Sequence, residues 1–169
     1  MVENMNIDKV RVYLKEQGFL DRLYEFEEST ATVDLAAQAL GTDPDQIAKT
    51  LSFYGKDGGA ILVVTAGKRR IDNHKFKEQF GVKARMLSSE DIERMTGNAA
   101  GGVCPFMVPA EAEVWLDVSL RDHDVIYPSA GSAHSGVQLK PSELEQLSGP
   151  AGWCDVCKSY FPCSCESAV

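Results

Sequence analysis

The stretch Thr50-Leu51-Ser52-Phe53-Tyr54-Gly55-Lys56-Asp57-Gly58-Gly59-Ala60-Ile61-Leu62-Val63-Val64-Thr65 decides the fold class. Residues 50–54 and 60–65 read as two strands, and the glycine-rich connection between them has hairpin chemistry. Helical patterns lie on both sides. Upstream, Ile7, Val10, Leu14 and Phe19 make one apolar stripe, and Gly18 is a natural stop. Thr32 precedes a helical run at 33–40 that ends at Gly41. Pro44 follows Asp43 and predicts a short helix over 44–48.

Downstream, Asp72 caps a predicted helix to 79, with Gly81 beyond it. Residues 84–87 read as strand. Ser88 and Asp91 have the spacing of a capping box for a helix that stops at Gly97. Strands are expected at 23–26, 114–118, 125–127 and 137–139, and a last helix runs from Pro141 to 147. Hairpins beside crossovers imply an α+β domain. We expect a single domain with a mixed, curved sheet, partly open and barrel-like, and helices around it. Residues 1–149 form this domain, and 150–169 are a cysteine-rich C-terminal tail of different character.

The 169 residues fit one ordinary domain, and 44% hydrophobic content supplies a core. No apolar run is long enough to span a bilayer, and residues 1–6 lack a signal-peptide core. A soluble, cytoplasmic protein without a membrane partner is expected. The net charge of -8 argues against indiscriminate nucleic-acid binding. The charge is uneven, however. Between positions 49 and 85 stand nine basic residues (Lys49, Lys56, Lys68, Arg69, Arg70, Lys75, Lys77, Lys83 and Arg85) against Asp57, Asp72 and Glu78. A basic third in an acidic chain suits local phosphate contact, or is simply a solvated face.

The chemistry-bearing motif is Gly101-Gly102-Val103-Cys104-Pro105-Phe106, read with Lys49. Two glycines and a proline allow close approach of backbone to a ligand, and converging amides can stabilise a developing oxyanion. Lys49 supplies a fixed positive charge. Cys104 is a pocket-wall thiol: His74, His123 and His134 are remote in sequence and complete no cysteine-enzyme signature. Cys154, Cys157, Cys163 and Cys165 in the tail can form a structural zinc site or stand as free thiols.

Four motifs in order now stand out. Ile47-Ala48-Lys49-Thr50-Leu51 precedes the hairpin. Thr96-Gly97 leads to the glycine loop. Val114-Trp115-Leu116-Asp117 is a strand. Ser129-Ala130-Gly131-Ser132 precedes Val137-Gln138-Leu139-Lys140-Pro141-Ser142-Glu143-Leu144. Over about residues 10–147 this chain resembles the YbaK/prolyl-tRNA-synthetase-associated domain family, the trans-editing aminoacyl-tRNA deacylases. The resemblance implies hydrolysis of the ester of a mischarged tRNA, with no cofactor required for catalysis. It places the family's lysine on Lys49 and its Gly-x-x-x-Pro loop on 101–105. Lys49, Gly101 and Gly102 are the expected catalytic residues. Val103, Cys104, Pro105, Phe106, Gly131, Ser132 and His134 are the expected substrate contacts. The partners implied are the aminoacyl-tRNA acceptor end and an aminoacyl-tRNA synthetase. The other reading of the same pocket is a non-catalytic module that binds tRNA, a nucleotide or a synthetase.

Overall fold

Strand β2 (Ile47–Tyr54) turns back into β3 (Ala60–Ala66) in an unbroken antiparallel register, from Ala48 opposite Ala66 to Tyr54 opposite Ala60. The turn closes through the Gly55 N–H donating to the Gly59 carbonyl at 2.8 Å. Gly58 takes φ +80°, a conformation that favours glycine. Every residue of β3 is buried, which marks it as the central strand. A computed structural model describes this arrangement for residues 2–160, with side chains from Asn6 onward.

β4 (Ala112–Asp117) lies parallel to β3, and β7 (Gly152–Cys154) lies parallel to β4. β5 (Tyr127–Pro128) lies parallel to the start of β2, so the sheet order is β5-β2-β3-β4-β7. A separate antiparallel pair joins β1 (Leu23–Glu25) to β6 (Ser135–Val137). The α+β class and the mixed sheet are as expected.

Side-chain alternation on β3 divides the core. Leu62 and Val64 pack with Ile7, Val10 and Leu14 of α1 (Val2–Gln17) and with Leu144 and Leu147 of α5 (Pro141–Ser148). Ile61 and Val63 face the other way, onto Phe53, Val156 and Phe76 of α3 (Asn73–Phe80). There Phe53, Phe76, Phe80 and Trp115 form a chain of rings with successive centroids 4.6, 4.7 and 5.5 Å apart.

Local signals placed the helix ends. Thr32 caps α2 (Val33–Leu40), Asp72 caps α3 and Ser88 caps α4 (Ser89–Thr96). Gly41, Gly81 and Gly97 close the three helices in left-handed geometry. Asp91 does not complete a capping box. Its carboxylate goes to Tyr54 and Arg94, and the Ser88 N–H goes to the Tyr54 hydroxyl.

Several expectations need correction. The helix predicted over 44–48 is one 3-10 turn, Pro44–Gln46, because Ile47 and Ala48 are drawn into the sheet by Tyr127 and Pro128. Lys49 therefore sits inside a strand. Residues 84–87 form only a bridge from Met86 to Phe53 beside β2. The strand expected at 137–139 is β6, Ser135–Val137; Leu139 keeps a single bridge to Ile126, and β7 follows it in the chain. The tail drawn from 150 enters the fold: Ala151 donates to the Val114 carbonyl, Val156 to Asp117 Oδ1, and Lys158 to the Arg70 carbonyl. Cys154 and Cys157 are buried. Cys163 and Cys165 lie outside the described residues.

Replacing Phe76 by alanine removes the middle ring of the aromatic chain. We expect a loss of about 3–5 kcal/mol, read as a lower urea midpoint at unchanged slope.

Candidate active site

A cavity of about 310 Å³ opens where α2, β2 and the glycine loop meet. Residues 30–33 and the inner face of α2 form one wall, and residues 47–51 of β2 form the floor. Gly101 and Val103 close a second side, with Tyr127, Ser129, Ser135 and Gly136 completing it. The lining is small, apolar and hydroxyl-bearing. Lys49 is its one ionised side chain among the described residues.

Lys49 and Gly101 thus border one cavity, although 52 positions separate them in the chain. The Lys49 ammonium donates to the carbonyls of Gly67 at 3.0 Å and Arg69 at 2.5 Å. An ammonium has three N–H donors, so one remains without a partner among the described residues. Burial lowers the Lys49 pKa, and Arg70 adds to that effect. Thr50, its neighbour on the floor, has a buried hydroxyl oxygen with no partner among the described residues.

Gly101 takes φ +87°, and a Cβ there would stand 3.3 Å from the Ala31 methyl. A Cβ on Gly102 would stand 3.0 Å from the Ser132 backbone, so this glycine lets the two loops touch. The Gly102 N–H is spent on the Ala99 carbonyl at 3.0 Å. Gly102 is therefore corrected from an oxyanion donor to a packing residue. The Gly101 and Val103 amides make no hydrogen bond among the described residues, and both residues border the cavity.

The rest of the motif faces inward. Cys104, expected as pocket wall, is 1% exposed in the main core, with its sulfur beside Asn98 Oδ1 and the Phe106 carbonyl. Burial pushes its thiol up to about 12, which leaves no nucleophile at neutral pH. Pro105 is buried beside it, and Phe106 belongs to the same core and borders a different cavity. Gly131, Ser132 and His134 shape the second loop without bordering the cavity. The Ser132 and Ser135 hydroxyls bond to each other, and exposed His134 turns toward the Glu28 carbonyl at 3.0 Å. Polar bonds within the turn hold these side chains, and Ser129, Ser135 and Gly136 reach the cavity instead. The α2 wall was missed altogether. Its one sequence signal was the Thr32 cap, which shows a helix start and not what that start faces.

No group of three or more His, Cys, Asp or Glu side chains suited to a metal occurs among the described residues. No helix among them is long and apolar enough to cross a membrane.

The sequence profile of the family described as "Aminoacyl-tRNA editing domain" matches residues 27–147. The chain belongs to that family. It is similar to "Uncharacterized protein YwhH" of Bacillus subtilis, 42% identical over 156 residues, covering 92% of this chain and 99% of that one. It is 28% identical over 127 residues to "Putative Cys-tRNA(Pro)/Cys-tRNA(Cys) deacylase EbsC" of Enterococcus faecalis, covering 73% of this chain and 77% of that one. A solved structure described as "a putative trans-editing enzyme for prolyl tRNA synthetase" superposes with a TM-score of 0.80 at 30% identity, covering 91% of this chain and 98% of that one.

The thiols supply a test of the site's chemistry. Burial pushes Cys104, Cys154 and Cys157 each up to about 12. Iodoacetamide at mildly alkaline pH, mapped by mass spectrometry, should leave all three unmodified until denaturant is added. Rapid labelling of Cys104 in the folded protein would restore a cysteine nucleophile.

Proposed function

We propose that this protein is an aminoacyl-tRNA deacylase that edits in trans, hydrolysing the ester between a wrongly attached amino acid and its tRNA. The observation that carries this reading is the pair of unpartnered amides at Gly101 and Val103 on the wall of the cavity that Lys49 also borders. An aminoacyl ester is already activated, because a ribose hydroxyl is the leaving group. Catalysis then needs the acceptor end held and the tetrahedral oxyanion stabilised. The amides serve the oxyanion, and each such donor is worth about 2.7–4 kcal/mol in acyl transfer. Lys49 holds a phosphate or ribose oxygen with its remaining N–H.

The nucleophile is water, or a group of the substrate itself whose acylated product water then hydrolyses. The cavity offers serine and threonine hydroxyls but no histidine or carboxylate to activate one. Attack on the carbonyl carbon gives the oxyanion. Its collapse breaks the ester C–O bond, and the ribose oxygen leaves with the proton that the attacking group gave up. The acceptor end is single-stranded, so its base and 2′-hydroxyl are open to direct recognition. Exposed Lys68 and Arg70, in the turn that follows central strand β3, would meet phosphates, whereas Arg69 between them is tied up in ion pairs.

Apart from Lys49 the lining is small and uncharged, which suits a small neutral amino-acid side chain, and the unpartnered Thr50 hydroxyl suits a polar group on it. A cationic side chain would meet the Lys49 ammonium as a like charge, with no counter-charge to offset its desolvation.

A deacylation panel of tRNAs charged with cysteine, alanine, serine, threonine, aspartate and lysine tests the reading. Turnover is expected for small neutral residues and not for lysine. Lys49→Ala should lower kcat/KM by about a hundredfold or more. No turnover above the uncatalysed rate on any ester, or full activity in Lys49→Ala, removes the mechanism.

A further inference from the structure

We propose that Asp45 is a positioning residue of this site: its carboxylate fixes the turn at 67–69, and the carbonyls of that turn hold the Lys49 ammonium. The inference rests on the reading of Lys49 as a substrate-binding cation.

Asp45 lies in the 3-10 turn Pro44–Gln46 that leads directly into β2. It is 4% exposed, yet both carboxylate oxygens are fully used. Oδ1 accepts the Lys68 N–H at 3.0 Å and Arg69 Nε at 3.2 Å. Oδ2 accepts Arg69 Nη2 at 2.9 Å and meets His123 Nε2 at 2.6 Å. The Asp45 backbone carbonyl accepts the Gly67 N–H at 3.3 Å. One acid therefore grips three consecutive residues of the turn. Asp122 holds Arg69 from its outer side at 2.9 Å.

The first and third of those residues supply the two carbonyls that receive Lys49. The turn has little room to relax, since a Cβ on Gly67 would stand 2.0 Å from the Pro44 carbonyl oxygen. Loss of the carboxylate would leave the Arg69 guanidinium, itself largely buried, without its inner partner. A buried unpaired charge is costly, so the turn would open to hydrate it and carry both carbonyls away from Lys49.

Charge acts in the same sense. Burial alone would raise the Asp45 pKa, but Arg69, His123 and the Lys68 amide outweigh it and hold the acid below its usual range. Asp45 is therefore ionised. The titratable groups that act on Lys49 are Asp45, Arg70 and Cys157. Cys157 would support an ammonium only as a thiolate, and burial pushes its thiol up to about 12. Arg70 opposes the ammonium. Asp45 is the ionised acid that favours it.

The test uses the full chain with Asp45→Asn, which keeps shape and removes charge, and Arg69→Lys, which keeps charge and removes the fork. Two readouts are taken. The first is the titration of the Lys49 side chain by NMR in lysine-labelled protein, assigned through Lys49→Arg. The second is deacylation of the best ester in the panel. In Asp45→Asn we expect the Lys49 midpoint to fall by about half a pH unit or more. We expect kcat to fall about tenfold or more with KM within about threefold. Arg69→Lys should move both readouts in the same direction by less, and it decides the matter if Asp45→Asn does not fold. A folded variant with an unchanged Lys49 midpoint and unchanged kcat overturns the inference. If the wild-type protein cleaves no ester, the deacylase reading fails by itself. The Lys49 titration then decides alone, a shift upholding the Asp45 link and no shift overturning it.

Discussion

The antiparallel register between β2 and β3 is the constraint on which the rest depends. It makes β3 a strand buried on both faces, so both layers of the molecule must form on it. It also sets the floor of the cavity, because positions 47–51 lie at the open end of the hairpin. At that end the turn after β3 returns toward the turn before β2. The two meet so closely that only glycine fits at position 67. A slip of one residue would carry Lys49 to the opposite face of the sheet and take its two carbonyl partners away.

Loop contact at the other side of the cavity depends on glycine in a similar way. Gly102 lies against the Ser132 backbone, and the residues on either side of it, Gly101 and Val103, border the cavity. Cys104 and Phe106 on the same loop are swallowed by the core and fix it from below. A loop pinned on both sides has little freedom to reorganise, which is the condition the proposed oxyanion donors require. The same burial that anchors Cys104 removes it as a nucleophile, so one residue's packing role excludes its chemical one.

Electrostatics explain how a lysine can stay in such a place. Desolvation opposes the ammonium, two carbonyls receive it, and Asp45 lies close enough to favour its charge. Asp45 is stabilised in turn by Arg69, His123 and a backbone amide. The arrangement is a chain of compensations, each burying a charge that is tolerable only because the next group is present.

The amino-acid sequence by itself determined whatever depends on neighbours in the chain. The glycine turn of the hairpin, the Thr32, Asp72 and Ser88 caps and the Gly41, Gly81 and Gly97 stops are local hydrogen bonds and local backbone freedom. Tertiary structure decided what depends on distant partners. The strand begins at Ile47 instead of continuing a helix because Tyr127 pairs with it. The segment after 150 joins the sheet because the edge of β4 is open to it. Arg69 in the basic triplet turns inward because Asp45, 24 positions away, and Asp122, 53 away, are there to meet it. No local pattern announces such pairings, since buried charges are paired through space and their spacing along the chain is set only by where the fold brings them.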